Sequence, residues 1–319
     1  VSTALGNIEV NTYTPDFTKS ACDDESCESH EKEIYETTDY DGNPTYYYRG
    51  SVENNYVKFA GYYWRIIRIN SNGSIRIIYD GTSVHSNGEV SEDRQYGNIQ
   101  FNTACNDNMY VGYMYTSGEA HGIGISSKIK TNVDKFYTNK LVSYASKLDT
   151  NVGFCGDRST LNLQSGVGAG TISTYYKAYL RVEESTPTLT CINVSDYYTI
   201  SSASSGNKKS TYPIGLITAD EVMLAGHAGG IFDGGYNHTK TNNGSYLITG
   251  NTFWTMTPAG GYNPFDRNYW TARLFGVYDY GGLDDHDADG TYGLRPVINI
   301  RSDVTITGSG TMNDPYVVS

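Results

Sequence analysis

The chain has no long apolar run, no basic cluster and comparatively few charged residues. No window approaches the roughly 18 consecutive apolar residues of a membrane helix, so we expect no membrane span. Charged residues make up only 18% of the sequence, and the formal net charge is −12. Because nucleic-acid binding requires a concentration of Lys and Arg to neutralise phosphates, these absences argue against a nucleic-acid partner.

Recognisable catalytic and zinc-binding motifs are also missing. The six histidines show no pairing with Cys or Ser at the spacing of nucleophilic motifs, and no G-x-S-x-G sequence occurs. The five cysteines lack the clustered spacing of zinc ligands. We therefore expect a protein that is not an enzyme and that uses no metal and no cofactor.

The cysteines leave room for two disulfides. Cys22 and Cys27 lie in one acidic loop and could close it, while Cys155 could pair with Cys191 across the middle of the chain. Spacing does not fix the connectivity. The alternative is that some of these cysteines are buried thiols in a protein that never meets an oxidising compartment.

Tyrosine and glycine are abundant, with 30 and 35 residues. This composition is typical of a β-rich, loop-rich extracellular protein. Tyr provides a large contact area at low entropic cost, which suits a recognition surface. Tyr rings also fill the faces of strands, so each single ring has either interpretation.

The most informative absence lies near the C-terminus. Between Met256 and Met312 the chain contains no Lys, Glu, Gln or Met, although these four types make up roughly a tenth of the whole sequence. Randomising the adenines of Asn-type codons produces the residue types that are present and cannot produce these four. Trp270 would then be a fixed position.

Two hydrophobic motifs frame the segment 257–292, which is rich in Tyr, Asn, Asp and Gly. Residues 253–258 (FWTMTP) and 293–300 (GLRPVINI) have the apolar pattern of buried strands. We expect these strands to hold the backbone still while the side chains between them contact a ligand. Arg295, between apolar residues, is predicted to be buried and hydrogen-bonded rather than functional.

Local patterns predict the elements of the preceding domain. Residues 62–80 predict a β-hairpin, because Ile alternates with Arg on both sides of an Asn72-Gly73 turn. Thr218 and Glu221 form a capping box at the start of a short helix that Gly226 ends. Further strand residues are expected at Tyr46, Tyr48, Val57 and Phe59. Residues 127–148 predict an amphipathic helix through apolar residues at Ile129, Val133, Phe136, Tyr137, Leu141, Tyr144 and Leu148.

Composition divides the chain into two parts. Residues 1–45 are polar and acidic, which predicts an N-terminal stalk, a linker or the remnant of an upstream module. The domain proper is expected over 46–319. Within it, the Gly-, Ser- and Thr-rich segments 164–174 and 201–210 predict surface insertions.

In their order along the chain, the hairpin 62–80, the helix 127–148, the motif 212–226 and the closing GLRPV at 293–297 resemble landmarks of the variable proteins of diversity-generating retroelements. Those proteins carry a hypervariable segment near the C-terminus of a C-type-lectin-like domain of the formylglycine-generating-enzyme type. The resemblance covers most of residues 46–319. It implies an α+β fold with antiparallel hairpins and sheets, two main helices and long loop insertions.

The resemblance also implies a function. Such a chain is expected to be a receptor- or adhesin-type protein of a phage or gut bacterium, placed outside the cell on a cell or virion surface. Its partner would be a macromolecular ligand, either a protein or a surface glycan. The enzyme that gives the fold its name uses cysteines near its C-terminal end, and this chain has none after Cys191, so its oxidase chemistry is not expected.

Strand periodicity sorts part of the framed segment into two faces. Trp270, Ala272 and Leu274 fall on a face expected to pack, and Thr271 falls on the opposite, binding face. Aromatic residues and Arg are typical of interface hot spots. The predicted ligand-binding residues are Tyr262, Asn263, Phe265, Asp266, Arg267, Asn268, Tyr269, Arg273, Phe275, Tyr278, Tyr280, Asp284, Asp285, His286, Asp287 and Asp289. The alternative interpretation is an ordinary set of polar surface loops, with a turn at Gly281 and an anchor at Leu283.

A calcium loop and two other functions are weaker alternatives. Residues 285–290 match the opening D-x-D-x-D-G of a calcium loop, but Pro296 occupies the position of the bidentate Glu, so we expect no calcium. An extracellular carbohydrate-active enzyme would require two carboxylates that converge in a deep cleft. A structural pilus or envelope subunit would bury the aromatic segment between neighbouring subunits.

Overall fold

The computed structural model describes residues 2–3, 5–7, 9–21, 34–39, 41–161, 168–227, 231–232, 235–236, 245–261 and 271–319. Over these residues the chain is a mixed α+β structure made mostly of sheet, which confirms the predicted fold class at that level. Among the described helices, none combines the length and the apolar character that crossing a membrane requires.

The elements are numbered here in chain order. The helices are α1 (Lys128–Phe136), α2 (Lys177–Glu183) and α3 (Ala219–Leu224). The strands are β1 (Ser2–Thr3), β2 (Gly6–Asn7), β3 (Ile34–Thr38), β4 (Pro44–Tyr48), β5 (Tyr56–Phe59), β6 (Tyr62–Ile69), β7 (Ile75–Gly81), β8 (Asn98–Gln100), β9 (Met114–Tyr115), β10 (Ile125–Ser126), β11 (Phe154–Cys155), β12 (Thr174–Tyr175), β13 (Tyr197–Tyr198), β14 (Ile231–Phe232), β15 (Gly235–Tyr236), β16 (Phe253–Gly261), β17 (Arg273–Val277), β18 (Leu283–Asp287), β19 (Thr291–Gly293), β20 (Val297–Ile300), β21 (Ile306–Thr307) and β22 (Tyr316–Val318).

Two sheets carry the architecture. The main sheet has the order β20-β7-β6-β5-β22-β21, and β4 and β3 extend it from β6. The second sheet has the order β18-β17-β16-β19-β8, with β12 paired to β16. One hydrophobic cluster joins both sheets and α1, and its largest members are Trp64 and Trp254, each 0% exposed. The two framing motifs are thus part of the core, as the sequence predicts.

The predicted hairpin is confirmed as β6 and β7. Gly73 adopts a φ of 81° in the turn, a left-handed value that favours glycine. The alternating Ile residues pack in the core, but Arg68 and Arg76 on the other face are also buried, at 8% and 1% exposed. Both faces of this hairpin are therefore covered, and the arginines require internal partners.

The predicted helix at 127–148 is regular only over its first part. Ser127 caps α1 by accepting a hydrogen bond from the Lys130 amide at 3.2 Å. After Phe136 the chain continues as a π-helical turn and then as a 3-10 helix up to residue 147. The changed pitch turns Tyr144 outward to 39% exposure, although the sequence places it on the apolar face. The other predicted apolar positions are buried.

The second predicted helix, α3, is confirmed with its capping box. Thr218 accepts from the Glu221 amide at 3.0 Å, and the Glu221 carboxylate accepts from the Thr218 amide at 2.9 Å. Helix α2 was not predicted, and it lies between the two segments expected to be surface insertions, 164–174 and 201–210. Tyr176 and Tyr198, which lie between the same two segments, are fully buried. The chain between the two predicted insertions is therefore part of the domain's packing.

Strand β3 places the start of the domain earlier than the sequence suggests. It pairs along its whole length with β4 and so belongs to the main sheet. Tyr35 stacks on Tyr47 with ring centroids 5.7 Å apart, and both rings pack on Leu224. The predicted boundary at residue 45 therefore cuts through a β-hairpin.

The disulfide between Cys155 and Cys191 is confirmed. Cys105 is a free thiol, and the suggested Cys22–Cys27 pair lies outside the described residues.

The structural role of Arg295 is also confirmed. It is 0% exposed and donates to the carbonyl oxygens of Tyr79 and Leu247 at 3.0 and 2.8 Å. Its Nη2 donates to the buried Asp80 carboxylate at 2.9 Å, which also accepts from Arg94. These contacts join the main sheet to the segment that precedes β16.

Candidate functional site

Strands β16, β17 and β18 form the framework of the predicted binding segment. They pair antiparallel, with Arg273 opposite Asp287 and Leu274 opposite His286. Ala272 and Leu274 are fully buried in the main cluster, which confirms the face predicted to pack. Residues 262–270 lie outside the described residues, and with them Tyr262, Asn263, Phe265, Asp266, Arg267, Asn268, Tyr269 and Trp270.

The face of β17 predicted to bind is mostly covered. Phe275, one of the predicted ligand-binding residues, is 1% exposed, so the structure places it in the interior and not on an open face. It packs in a second cluster with Val182 of α2 and Met223 of α3, and its ring stacks on Tyr179 with centroids 6.4 Å apart. Sequence reasoning missed α2, and without that helix this face of the strand appears free.

Arg273, on the same face, remains partly open at 28% side-chain exposure. Its Nε donates to Asp287 at 3.0 Å and its Nη1 donates to Asp285 at 2.9 Å. Thr271 is buried and donates its hydroxyl to the same Asp287 carboxylate at 2.7 Å. One guanidinium thus faces two carboxylates, which fixes its position and leaves the group with a net negative charge.

Asp284 and His286 occupy the inner face of β18 and are 4% and 6% exposed. Both are predicted ligand-binding residues, but successive residues of a strand point to opposite faces, so the structure places these two inside and leaves Asp285 and Asp287 on the outer face. Burial raises the pKa of Asp284 to about 7 and lowers the pKa of His286 to about 4. The His286 ring lies 4.1 Å from that of Tyr292 and 4.9 Å from that of Tyr278. His286 is therefore neutral at pH 7, and Asp284 retains its proton in a large fraction of molecules at that pH.

The turn between β17 and β18 places two tyrosines at the edge of the site. Gly281 has a φ of 95°, and its amide donates to the Tyr278 carbonyl at 2.9 Å, which confirms the predicted turn. Tyr278 and Tyr280 stack with ring centroids 5.2 Å apart and are partly exposed. Leu283 packs against both hydrophobic clusters, as an anchor of the return strand should.

Asp285 and Asp287 do not belong to a calcium loop, because both are residues of an extended strand. Nearby, Cys105, Asp287 and Asp289 place one potential ligand atom each within 4.8 Å of one another. Burial is the main cause that raises the pKa of the Cys105 thiol to about 12, and a hydrogen bond to Asp289 is the second. The thiol is therefore protonated at neutral pH in the metal-free protein. Asp287 is already engaged by Arg273.

A second feature, which sequence reasoning did not predict, is a cavity of about 620 Å³ lined by β6, β7, the start of α3 and the disulfide. Charged side chains from four different segments meet in it, among them Arg68, Arg76, Arg181, Asp157 and Asp220. The available sequence signal was the alternation of Arg with Ile in the hairpin, which indicates a polar face but not that another element covers it.

Comparison with family models, curated proteins and solved structures finds no match to the chain.

Proposed function

We propose that this protein is a non-enzymatic, sequence-diversified ligand-binding protein of the class encoded by diversity-generating retroelements, with a C-type-lectin-like domain. The single observation that supports this most strongly concerns the segment without Lys, Glu, Gln and Met. Its described strands combine buried framework positions with a partly open group of polar and aromatic side chains along the β17–β18 hairpin, at the edge of the second sheet.

We define the binding patch as Arg273, Tyr278, Tyr280, Asp285, Asp287 and Asp289, together with the neighbouring segment 262–269. The patch is smaller than the sequence alone suggests, because Phe275, Asp284 and His286 belong to the framework. Its ion pairs and stacked rings are fixed before a ligand arrives, so little ordering entropy is lost on binding. Such a surface changes its specificity through substitutions while its framework remains folded.

The patch chemistry favours a macromolecular partner. Among the described residues of the patch, the one arginine is outnumbered by three carboxylates, and Tyr278 and Tyr280 lie at the turn end of the same β17–β18 hairpin. This combination suits a protein surface with basic groups or a glycan rich in hydroxyl groups, since carboxylates accept from both and tyrosine rings stack on both. The disulfide Cys155–Cys191 supports a location outside the cell, where disulfides persist.

The alternative of a carbohydrate-active enzyme has less support from the cavity. Its carboxylates are engaged by arginine: Asp157 and Asp220 bind Arg181, and Glu221 binds Arg68 at 2.9 Å. The arginines beside Glu221 hold the pKa of that carboxyl below its usual range despite burial. A general acid requires the opposite shift.

Two display libraries test the proposed function. The first library randomises the patch codons 262–269, 273, 278, 280, 285, 287 and 289. The matched second library randomises the same number of codons at buried positions of β16–β18 and their surroundings, including Phe275, Asp284 and His286. We expect the first library to retain surface display and to yield binders against two unrelated probe proteins, for example lysozyme and serum albumin. We expect the second to lose display, because buried framework positions tolerate few residues.

The proposal fails if both libraries lose display equally, or if binders selected from the first carry no enrichment at the patch codons. The coding DNA offers an independent test. A near-copy of codons 257–299 that differs only at adenines, beside a reverse transcriptase gene, is the expected arrangement, and its absence from the native locus would contradict the assignment to this class.

A further inference from the structure

The cavity described above lies outside the binding patch and carries its own chemistry. One wall is formed by Arg68 of β6 and Arg76 of β7, which are directly opposite each other in the strand register. Like charges at such positions repel and destabilise a sheet unless a counter-charge lies between them. The cavity volume of about 620 Å³ is within the range of small-molecule sites.

One carboxylate serves both arginines. Glu221 Oε1 lies 2.9 Å from Arg68 Nε and 2.8 Å from Arg76 Nε. Arg76 also donates from Nη1 to the Gly153 carbonyl at 3.0 Å and stacks over the Phe154 ring at 4.4 Å. Two guanidinium charges therefore face a single carboxylate, which gives this group of three a net positive charge. Beyond these three and the group around Arg181, the charged residues of the lining are Asp39, Asp41 and Lys208, which are half-buried or exposed.

The arginines also retain unused donors. Arg68 donates from Nε to Glu221 and from Nη1 to Asn70, and the only hydrogen bond donated by Arg76 is the one from Nη1. Among the described residues, neither Nη2 group has a hydrogen-bond partner. Burial lowers the pKa of Arg76 to about 10, which shows the cost of keeping this charge away from water.

The adjoining wall has the opposite imbalance. Arg181 of α2 donates from Nη1 to Asp157 at 3.1 Å, and from Nε and Nη2 to Asp220 at 2.8 and 3.0 Å. Here one guanidinium faces two carboxylates, so the wall has an excess negative charge. Asp220 and Glu221 are consecutive residues of α3, which places the two walls side by side.

A ligand with one charge would satisfy one wall and leave the other uncompensated in a poorly solvated site. A carboxylate next to an ammonium group satisfies both, since the carboxylate can accept from the two Nη2 groups and the ammonium can donate to Asp157 and Asp220. Beyond the charged groups the lining includes Val152, Leu189 and the disulfide, which suit an apolar side chain.

We propose that this cavity is a binding site for an α-amino acid with an apolar side chain, held by Arg68 and Arg76 at its carboxylate and by Asp157 and Asp220 at its ammonium group. This site is separate from the diversified patch and does not depend on the function proposed for the patch. It provides the domain with a small-molecule ligand in addition to its macromolecular one.

Calorimetric titration of the full, oxidised chain tests the site. The probes are L-leucine, L-methionine and L-phenylalanine, each with its amide, which lacks the carboxylate, and its N-acetyl derivative, which lacks the ammonium group. We expect at least one free amino acid to bind and both of its derivatives to bind more weakly by about tenfold or more. No binding by any of the three up to about 10 mM, a concentration that detects even weak sites, would overturn the proposal.

Two serines provide matched variants. Ser205 lines the cavity and is exposed, so Ser205→Trp should block entry and abolish binding. Ser201 is equally exposed but does not line the cavity, so Ser201→Trp should bind as the unmodified protein does. Equal binding by both variants would place the ligand elsewhere.

A charge variant separates binding from folding. Asp157→Asn keeps an acceptor for Arg181 but removes the excess negative charge. We expect it to weaken binding of the free amino acid by about tenfold and to leave binding of the N-acetyl derivative unchanged, because only the first carries an ammonium group. An equal loss for both probes would indicate a general disturbance of the cavity and would contradict the assignment of Asp157.

Discussion

Replacing Phe275 by alanine tests which side chains of β17 are framework and which are free. The ring is 1% exposed and is enclosed by residues of α2, α3 and β16. Truncating a fully buried phenylalanine to alanine costs about 3–5 kcal/mol, through lost burial and the cavity that remains. For a domain of this size, 1 kcal/mol changes the melting temperature by roughly 2–4 °C, so we expect a decrease of about 6 °C or more.

Arg273→Ala is the matched control on the same strand face. Its side chain is 28% exposed, and its partners Asp285 and Asp287 are 10% and 34% exposed, so its removal should cost about 2 kcal/mol or less. The measurement is urea denaturation of the two variants beside the unmodified protein, followed by circular dichroism. If Phe275→Ala remained within about 1 kcal/mol of the unmodified protein, the ring would not be part of the core and the covering role assigned to α2 would be incorrect.

Three further predictions follow from buried groups. Because the pKa of Asp284 is raised to about 7 in the folded protein, the stability that its protonation supplies is complete below the unfolded value of about 4 and is lost as the pH rises to 7. The Asp284→Asn variant cannot titrate at this position. Relative to it, the free energy of unfolding of the unmodified protein should fall by about 2 kcal/mol between pH 4 and pH 8 after allowance for solvent screening, and parallel stability curves would refute this. His286 contributes a slope of the opposite sign, but it does so in both proteins. Replacing Cys155 and Cys191 together by serine opens a loop with a sequence separation of 36 and should lower the free energy of unfolding by about 3–4 kcal/mol. In reducing buffer, where the disulfide is open in both proteins, the variant and the unmodified protein should be equally stable. Arg295→Met should cost about 3–5 kcal/mol in denaturant titrations, since it leaves a buried carboxylate short of one partner, and a loss under 1 kcal/mol would show that the remaining arginines suffice.

Local patterns were sufficient for the regular elements. The hairpin of β6 and β7, the capping box of α3 and the burial of Ala272 and Leu274 depend on turn chemistry, short-range hydrogen bonds and strand periodicity. These effects act over a few residues and are therefore written directly in the sequence. The same is true of the residue types missing between Met256 and Met312, which first indicated a diversified segment.

Local patterns were insufficient where a distant element decides exposure. Phe275 and Leu274 point to opposite faces of β17, as strand periodicity predicts, yet both are buried. Helix α2 covers the face that periodicity alone leaves open. Tyr144 is exposed because the helix changes its pitch after Phe136.

The sequence by itself determined the β6–β7 hairpin, the strands β16, β17 and β18 and the capping box of α3, since these follow from interactions between near neighbours. Only the tertiary structure decided which polar residues are free and which are buried. It also brought Arg68, Arg76, Arg181, Asp157 and Asp220 into one cavity from four separate segments. The physical reason is that a buried charge is stabilised by partners distant in sequence, and one-dimensional spacing carries no record of those contacts.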